Sequence, residues 1–362
     1  MERFMASKPI VVLIHGMGTH TAPKPNSNVR GSFGKECIDT FNKALQMYPA
    51  LKAGKIEDKV DFVEIHYNHI FDNMRKEMAE NGQKFNDLLQ GAGLLANVPD
   101  LVKKVIELES SLDQDKPLYT HWLDVIFYKL YFGEVVRVHV AEKLAEIISK
   151  NGTKNVHILA HSLGTAVIHD TLSKLYNQGY ADNDDIADLS PVTHKLSSLW
   201  QIANVSRLAN SVMPVADPYK SLVKPGSTGC TSTMMNIHHK FDPFTLPKKF
   251  ARSDNGKWVP PNVFKNKYLD VETSVITQLN THSITQYLHD PSVHLYLFNT
   301  LGIKMPPKSQ RDKAIDDYNN LVIDNAEAKI KKKLNGLVKT NSATLKDYID
   351  AANRLMKFIE SM

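Results

Sequence analysis

The residues best suited to chemistry are Ser162, Asp242 and His282, together with the stretch His15-Gly16-Met17-Gly18-Thr19-His20. A serine hydroxyl becomes a useful nucleophile when a base takes its proton, and an imidazole can be that base near neutral pH. A carboxylate can then hold the imidazole tautomer and balance its charge. Ser162 sits in Asn155-Val156-His157-Ile158-Leu159-Ala160-His161-Ser162-Leu163-Gly164-Thr165-Ala166. The run opens as a short apolar strand and passes into Ala-Val-Ile-His-Asp-Thr-Leu, which reads as the start of a helix. Between them, Ala-His-Ser-Leu-Gly is a close variant of the G-x-S-x-G turn, which lifts a serine hydroxyl out of a sheet. Such a turn crowds its own backbone, so the flanking positions must be small. Ala160 departs from strict glycine but carries only a methyl group, and Gly164 fits the pattern. The plain alternative for Ser162 is a helix cap.

The elements around these residues can be read in chain order. Pro9 to Ile14 is a continuous apolar strand, as in a parallel sheet covered on both faces, and runs into the His15-Gly16 loop. That loop lacks the Gly-Lys-Ser/Thr of a phosphate loop; a plain turn or an anion-binding loop remains open. Residues 21–35 are loop, Lys35 to Tyr48 has helical spacing, and Val60 to Tyr67 alternates as a strand. Residues 68–121 are helical in character and form an insertion. Within it, Leu88, Leu89, Leu94 and Leu95 either line an acyl pocket under a lid or pack against the core. Trp122 to Lys150 reads as one long helical region with a possible break at Gly133, and its aromatic residues read as core.

After the Ser162 helix, residues 177–191 form a polar surface connection and Leu199 to Val205 a strand. Residues 210–233 form a long loop. Met234 to Phe241 is the next strand and ends in Asp242-Pro243. Residues 247–266 are loop-rich, Tyr268 to Val271 is a last strand, and His282 precedes a helix from Ile284 to about His289. Asp217 and Asp270 are rival acids. His289 and His294, in helical context, and His238 and His239, within a strand, are rival bases. His15, Gly16, His20 and His161 shape the cleft, whereas His157 is a packed, hydrogen-bonded histidine. Residues 308–362 are charged and helical in period, with Ile315 and Leu321 among the apolar markers. They read as two or three amphipathic helices packed on the main domain or on a partner. The basic cluster at Lys329 and Lys331 to Lys333 reads as a solvated face.

Composition narrows the classes. The chain has 362 residues, 42% of them hydrophobic and 23% charged, with a net charge of +5. These are the values of an ordinary globular protein and give no reason to propose a nucleic-acid partner. The two cysteines, Cys37 and Cys230, imply neither a disulfide framework nor a metal site, and point to a reducing compartment. The first residues lack a signal-peptide core, and no run approaches the ~20 apolar residues of a membrane span. The expected location is the cytoplasm, with peripheral membrane contact still open.

The order serine, aspartate, histidine, each just after an expected strand, resembles the α/β-hydrolase superfamily over residues 8–303. The His-Gly-Met-Gly loop and Ala-His-Ser-Leu-Gly turn are similar to those of its lipases and esterases. The resemblance implies an α/β fold with a mostly parallel, doubly wound sheet. Residues 1–303 would form this domain, with the 68–121 insertion as a possible lid. Residues 304–362 would be a helical extension that could dock a protein partner. It also implies that Ser162 is the nucleophile, His282 the base and Asp242 the acid. The backbone N–H groups of Met17 and Leu163 would bind the oxyanion, and no metal or organic cofactor is needed. The function expected is hydrolysis of carboxylic esters, with acyl lipids or other apolar esters as substrate. Thioester hydrolysis and acyl transfer use the same residues. A peptidase, and a non-catalytic interaction protein that keeps the fold, are the competing classes.

Overall fold

A computed structural model describes residues 8–16, 18, 20–23, 30–73, 128, 133–151, 155–212, 217–242, 244–245, 249–250, 258–323, 325 and 328. Its centre is a six-stranded sheet in which every ladder is parallel. The strands are β1 (Ile10–Ile14), β2 (Asp61–Ile65), β3 (Val156–His161), β4 (Leu196–Ile202), β5 (Thr231–His239) and β6 (Tyr268–Thr273). They lie in the order β2-β1-β3-β4-β5-β6. The chain therefore winds outward in one direction from β1 to β2, returns, and winds the other way from β3. Open parallel sheets hold their ligands at such a reversal, outside the carboxyl ends of the strands.

The strands alternate because a pleated backbone points successive side chains to opposite faces. Val11 and Leu13 enter one core cluster, while Val12 and Ile14 enter the other. The first cluster is closed by helices α1 (Ser32–Gln46), α6 (Ile284–Leu288) and α7 (Pro291–Thr300). The second is closed by α2 (Gly133–Asn151) and α3 (Leu163–Leu175). Short helices α4 (Ser206–Val212) and α5 (Pro261–Lys267), a later helix, α8 (Lys308–Asn319), and a 3-10 turn at Ile56–Asp58 are also present. Helices on both faces explain why β1 and β3 are almost continuously apolar.

Several boundaries differ from the sequence reading. Of the region beginning at Trp122, Gly133–Asn151 is helix as expected, and Trp122 itself lies outside the described residues. A side chain at Gly133 would stand 2.2 Å from the Tyr128 carbonyl, so only glycine fits at that position. β5 starts at Thr231, inside the expected 210–233 loop, and α5 starts at Pro261, inside the expected 247–266 loop. Pro261 opens α5, where a missing N–H costs nothing. Of the insertion, residues 68–73 are helical; Leu88, Leu89, Leu94 and Leu95 lie outside the described residues. In the tail, α8 buries Ala314 and Tyr318, whereas the expected markers Ile315 and Leu321 are exposed. No helix among the described residues is long and apolar enough to cross a membrane.

Glu64, on the edge strand β2, reaches the start of α1. Its Oε2 accepts the Gly34 N–H at 2.9 Å, and a side chain at Gly31 or Gly34 would run into its carboxylate. Oε1 is buried with no hydrogen-bond partner among the described residues. Burial lifts this carboxyl to about 7, against smaller lowering effects of the Gly34 bond and Arg30. An acid whose pKa rises on folding stabilises the fold fully below its unfolded value near 4.5, and loses that contribution as pH rises through about 7. Glu64→Gln is therefore expected to be more stable than the wild type at pH ~8, with the difference shrinking as pH falls toward ~5. Urea denaturation across this range tests it, and parallel stability curves would refute it.

Candidate functional site

Ser162 stands between β3 and α3 with φ 53° and ψ −127°, a conformation that a non-glycine residue adopts only under strain. Its N–H donates to the Ile202 carbonyl at 3.0 Å. Its carbonyl accepts the Thr165 N–H at 2.9 Å and hydroxyl at 2.6 Å. The Thr165 hydroxyl in turn accepts the Val205 N–H at 3.0 Å. The turn is thus fastened to the end of β4 on both sides.

Glycines let the ends of β1 and β3 meet. A side chain at Gly164 would lie 2.4 Å from the His15 carbonyl oxygen and 2.6 Å from that of Ile14. One at Gly16 would lie 2.7 Å from Ser162 Cβ. Ala160 is fully buried between Ile14 and Gln201, its partners on the neighbouring strands.

Ser162, His282 and Asp242 form one hydrogen-bonded string. His282 Nε2 is 2.7 Å from Ser162 Oγ. His282 Nδ1 is 2.8 Å from Asp242 Oδ2. Asp242 follows β5 and is fully buried. Its Oδ1 accepts the Phe244 N–H at 2.9 Å, and its Oδ2 also accepts the Tyr287 hydroxyl at 2.5 Å. Burial alone would raise the Asp242 pKa, but His282 and these donors outweigh it and hold the carboxyl below its usual value. The His282 N–H donates to Asn280 Oδ1 at 3.1 Å, and the Thr281 hydroxyl donates to the Phe241 carbonyl at 2.9 Å. These bonds fix the loop that carries the imidazole. Phe244 covers the ring, with centroids 4.3 Å apart.

Two buried histidines brace the site without carrying charge. His161 Nε2–H donates to the His282 carbonyl at 2.8 Å, and burial, aided by His282, lowers its pKa to about 3. The His15 ring accepts the Tyr67 N–H at Nε2, 3.2 Å away, so its proton is on Nδ1, donated to the Gly16 carbonyl at 2.8 Å. Burial, then His20, keeps His15 well below its ordinary value. The loop after β1 is also tied to residues 66–68. The Tyr67 hydroxyl donates to the His15 carbonyl, the Asn68 amide to that of Gly18, and His66 Nε2–H to that of His20. Met17 lies outside the described residues; Leu163 opens α3, so its N–H belongs to a first turn whose amides lack intrahelical acceptors.

The rival residues have other partners. Asp217 accepts the Tyr219 N–H in an exposed turn. Asp270 accepts from Asn236 at 2.9 Å, within a network joining β4, β5 and β6. His238 pairs with Glu272, and His239 donates to the Val275 carbonyl. The His289 ring packs edge-on against Tyr318. His294 is buried between the Tyr48 hydroxyl and the Leu288 carbonyl. His157 bonds the Ser198 hydroxyl at 2.7 Å inside the sheet. The reading from sequence did not single out Tyr287, Phe244, Tyr67 or Asn68. A tyrosine five residues after the candidate base, on a helix with a buried face, was the available signal for Tyr287. Among the described residues no group of His, Cys, Asp and Glu is arranged to hold a metal ion.

Chemically, the string can move a proton from a hydroxyl to an imidazole while a carboxylate stays ionised behind it. Gly16→Ala forces its new methyl onto Ser162. The expected cost is about 1–3 kcal/mol in denaturant melts, with a displaced Ser162 Oγ in a crystal structure of the variant; an unchanged melting curve would contradict the close approach. Comparison with known proteins adds no family: no family model, curated protein or solved structure gives a significant match to this chain.

Proposed function

We propose that this chain is a serine hydrolase of carboxylic esters, working through an acyl-enzyme on an α/β-hydrolase-like fold. The observation that carries the reading is the string Ser162 Oγ–His282 Nε2 at 2.7 Å and His282 Nδ1–Asp242 Oδ2 at 2.8 Å. It is supported by the strained turn that presents Ser162 and by the reversal of strand order between β1 and β3.

The steps follow from the residue types. Ser162 Oγ attacks the carbonyl carbon as its proton passes to His282 Nε2. Negative charge builds on the substrate oxygen, where the N–H groups of Leu163 and Met17 receive it; one such donor is typically worth about 3 kcal/mol. Collapse expels the alcohol, which takes the proton from imidazolium. Water then repeats the sequence on the acyl-serine and releases the acid. Asp242 remains ionised and stabilises imidazolium throughout. His161 stays neutral, so it adds no second positive charge beside imidazolium.

The preference for apolar acyl groups rests on the sequence alone, on Leu88, Leu89, Leu94, Leu95 and the glycine loop. Thioester hydrolysis and acyl transfer to another alcohol share the same steps. A fluorophosphonate probe is expected to label the wild type and not Ser162→Ala. Hydrolysis of p-nitrophenyl esters is expected to fall by about 10³–10⁴-fold in Asp242→Asn, with binding retained. Absence of labelling in the folded wild type would overturn the assignment. Equal rates across ester chain lengths would remove the lipid preference, and faster turnover of matched thioesters would redirect it.

A further inference from the structure

We propose that Tyr287 is a positioning residue of the site, acting through Asp242: its hydroxyl fixes the carboxylate and sets how strongly that carboxylate holds the proton of His282. The inference rests on the reading of Ser162, His282 and Asp242 as one catalytic unit, and it adds a fourth side chain to that unit.

One oxygen, Asp242 Oδ2, accepts two donors: His282 Nδ1–H at 2.8 Å and the Tyr287 hydroxyl at 2.5 Å. The phenol oxygen is itself occupied, because the His239 N–H donates to it at 3.1 Å. That backbone bond takes a lone pair and directs the phenol proton to the carboxylate. Tyr287 and Asp242 are both fully buried, so water does not replace the phenol donor. Tyr287 keeps its proton: burial, reinforced by Asp242, pushes its pKa well above the ordinary phenol value.

The arrangement links two segments separated by β6. Asp242 follows β5, whereas His282 and Tyr287 belong to the loop and helix after β6. His282 is loop-borne and 14% exposed, so of the two donors to Asp242 Oδ2 it is the one nearer solvent. Tyr287 is held by the helix and by the β5 backbone, which makes it the rigid half of the clamp.

There is also an electrostatic consequence. A carboxylate oxygen that shares its charge with a phenol proton attracts the imidazolium less than an unshared one. Removing the phenol proton concentrates the charge on His282, so the imidazole should hold its proton to higher pH. The base would then be less available near neutrality, and the carboxylate free to turn about its side-chain bonds.

The test follows the His282 proton directly. Ring carbon–hydrogen NMR spectra of histidine-labelled full-length protein are recorded against pH, with His282 assigned by its loss in His282→Gln. In Tyr287→Phe the His282 midpoint is expected to rise by about 0.5–1 pH unit. For p-nitrophenyl acetate, kcat is expected to fall by about tenfold with KM within twofold, and the acid limb of kcat/KM to move up with the midpoint. A midpoint that stays in place overturns the proposal, whatever the stability of the variant. If Tyr287→Phe does not fold, fluorotyrosine at position 287 keeps the packing and donates more strongly; the midpoint should then fall, and an unmoved one again refutes it. The NMR readout needs no turnover. A failure of Ser162 to react with fluorophosphonate would count against the hydrolase reading and leave this measurement valid.

Discussion

The structure depends on one close approach, the meeting of β1 and β3 at their carboxyl ends. The backbone there leaves no room for a side chain at Gly16 or Gly164. Because the two strands are neighbours at the point where strand order reverses, the loops leaving them diverge to opposite sides of the sheet. Ser162 stands where these two loops part. The strained backbone of Ser162 persists because Ile202, Thr165 and Val205 hold the turn from the β4 side. Single non-glycine residues in such conformations typically cost about 1–3 kcal/mol, and here surrounding hydrogen bonds offset that cost.

Around this contact, three described loops are tied down by side chains from other elements. Tyr67 and Asn68 fasten the loop after β1, His161 the loop bearing His282, and Tyr287 the turn bearing Asp242. The charge distribution follows from burial. Removing an imidazole from water disfavours its charged form, so His15 and His161 serve as neutral donors and acceptors. Asp242 is equally buried yet ionised, because it collects three donors. Among the described residues, Asp242 therefore supplies the negative charge behind the His282 imidazole.

Local patterns were legible where one physical signal dominated. β1 and β3 are apolar runs that lie in the middle of the sheet, and their limits in the structure fall within a residue or so of the sequence reading. The helix after His282 was legible from its spacing, and Ser283 caps it by accepting the Thr285 N–H. α5 was not legible, because prolines and polar residues mimic a loop until Pro261 is recognised as a first helical residue. Thr231–Thr233 lacks the apolar pattern of the rest of β5, yet it pairs with the Leu196–Ser198 end of β4. In α8 the large apolar Ile315 is exposed while Ala314 is buried, since the face that meets α7 is set by the close approach of the helices and not by residue size.

By itself the sequence determined the alternation of strands and helices, the small residues around Ser162, and the chain order serine, aspartate, histidine. Those are local properties, fixed by side-chain volume, backbone preference and spacing. Only the tertiary structure decided that residues 120 apart come within a hydrogen bond, that Asp242 rather than Asp270 faces the imidazole, and that Tyr287 shares its charge. The reason is that strand order and register place side chains from distant segments, and neither is encoded within any single stretch of the chain.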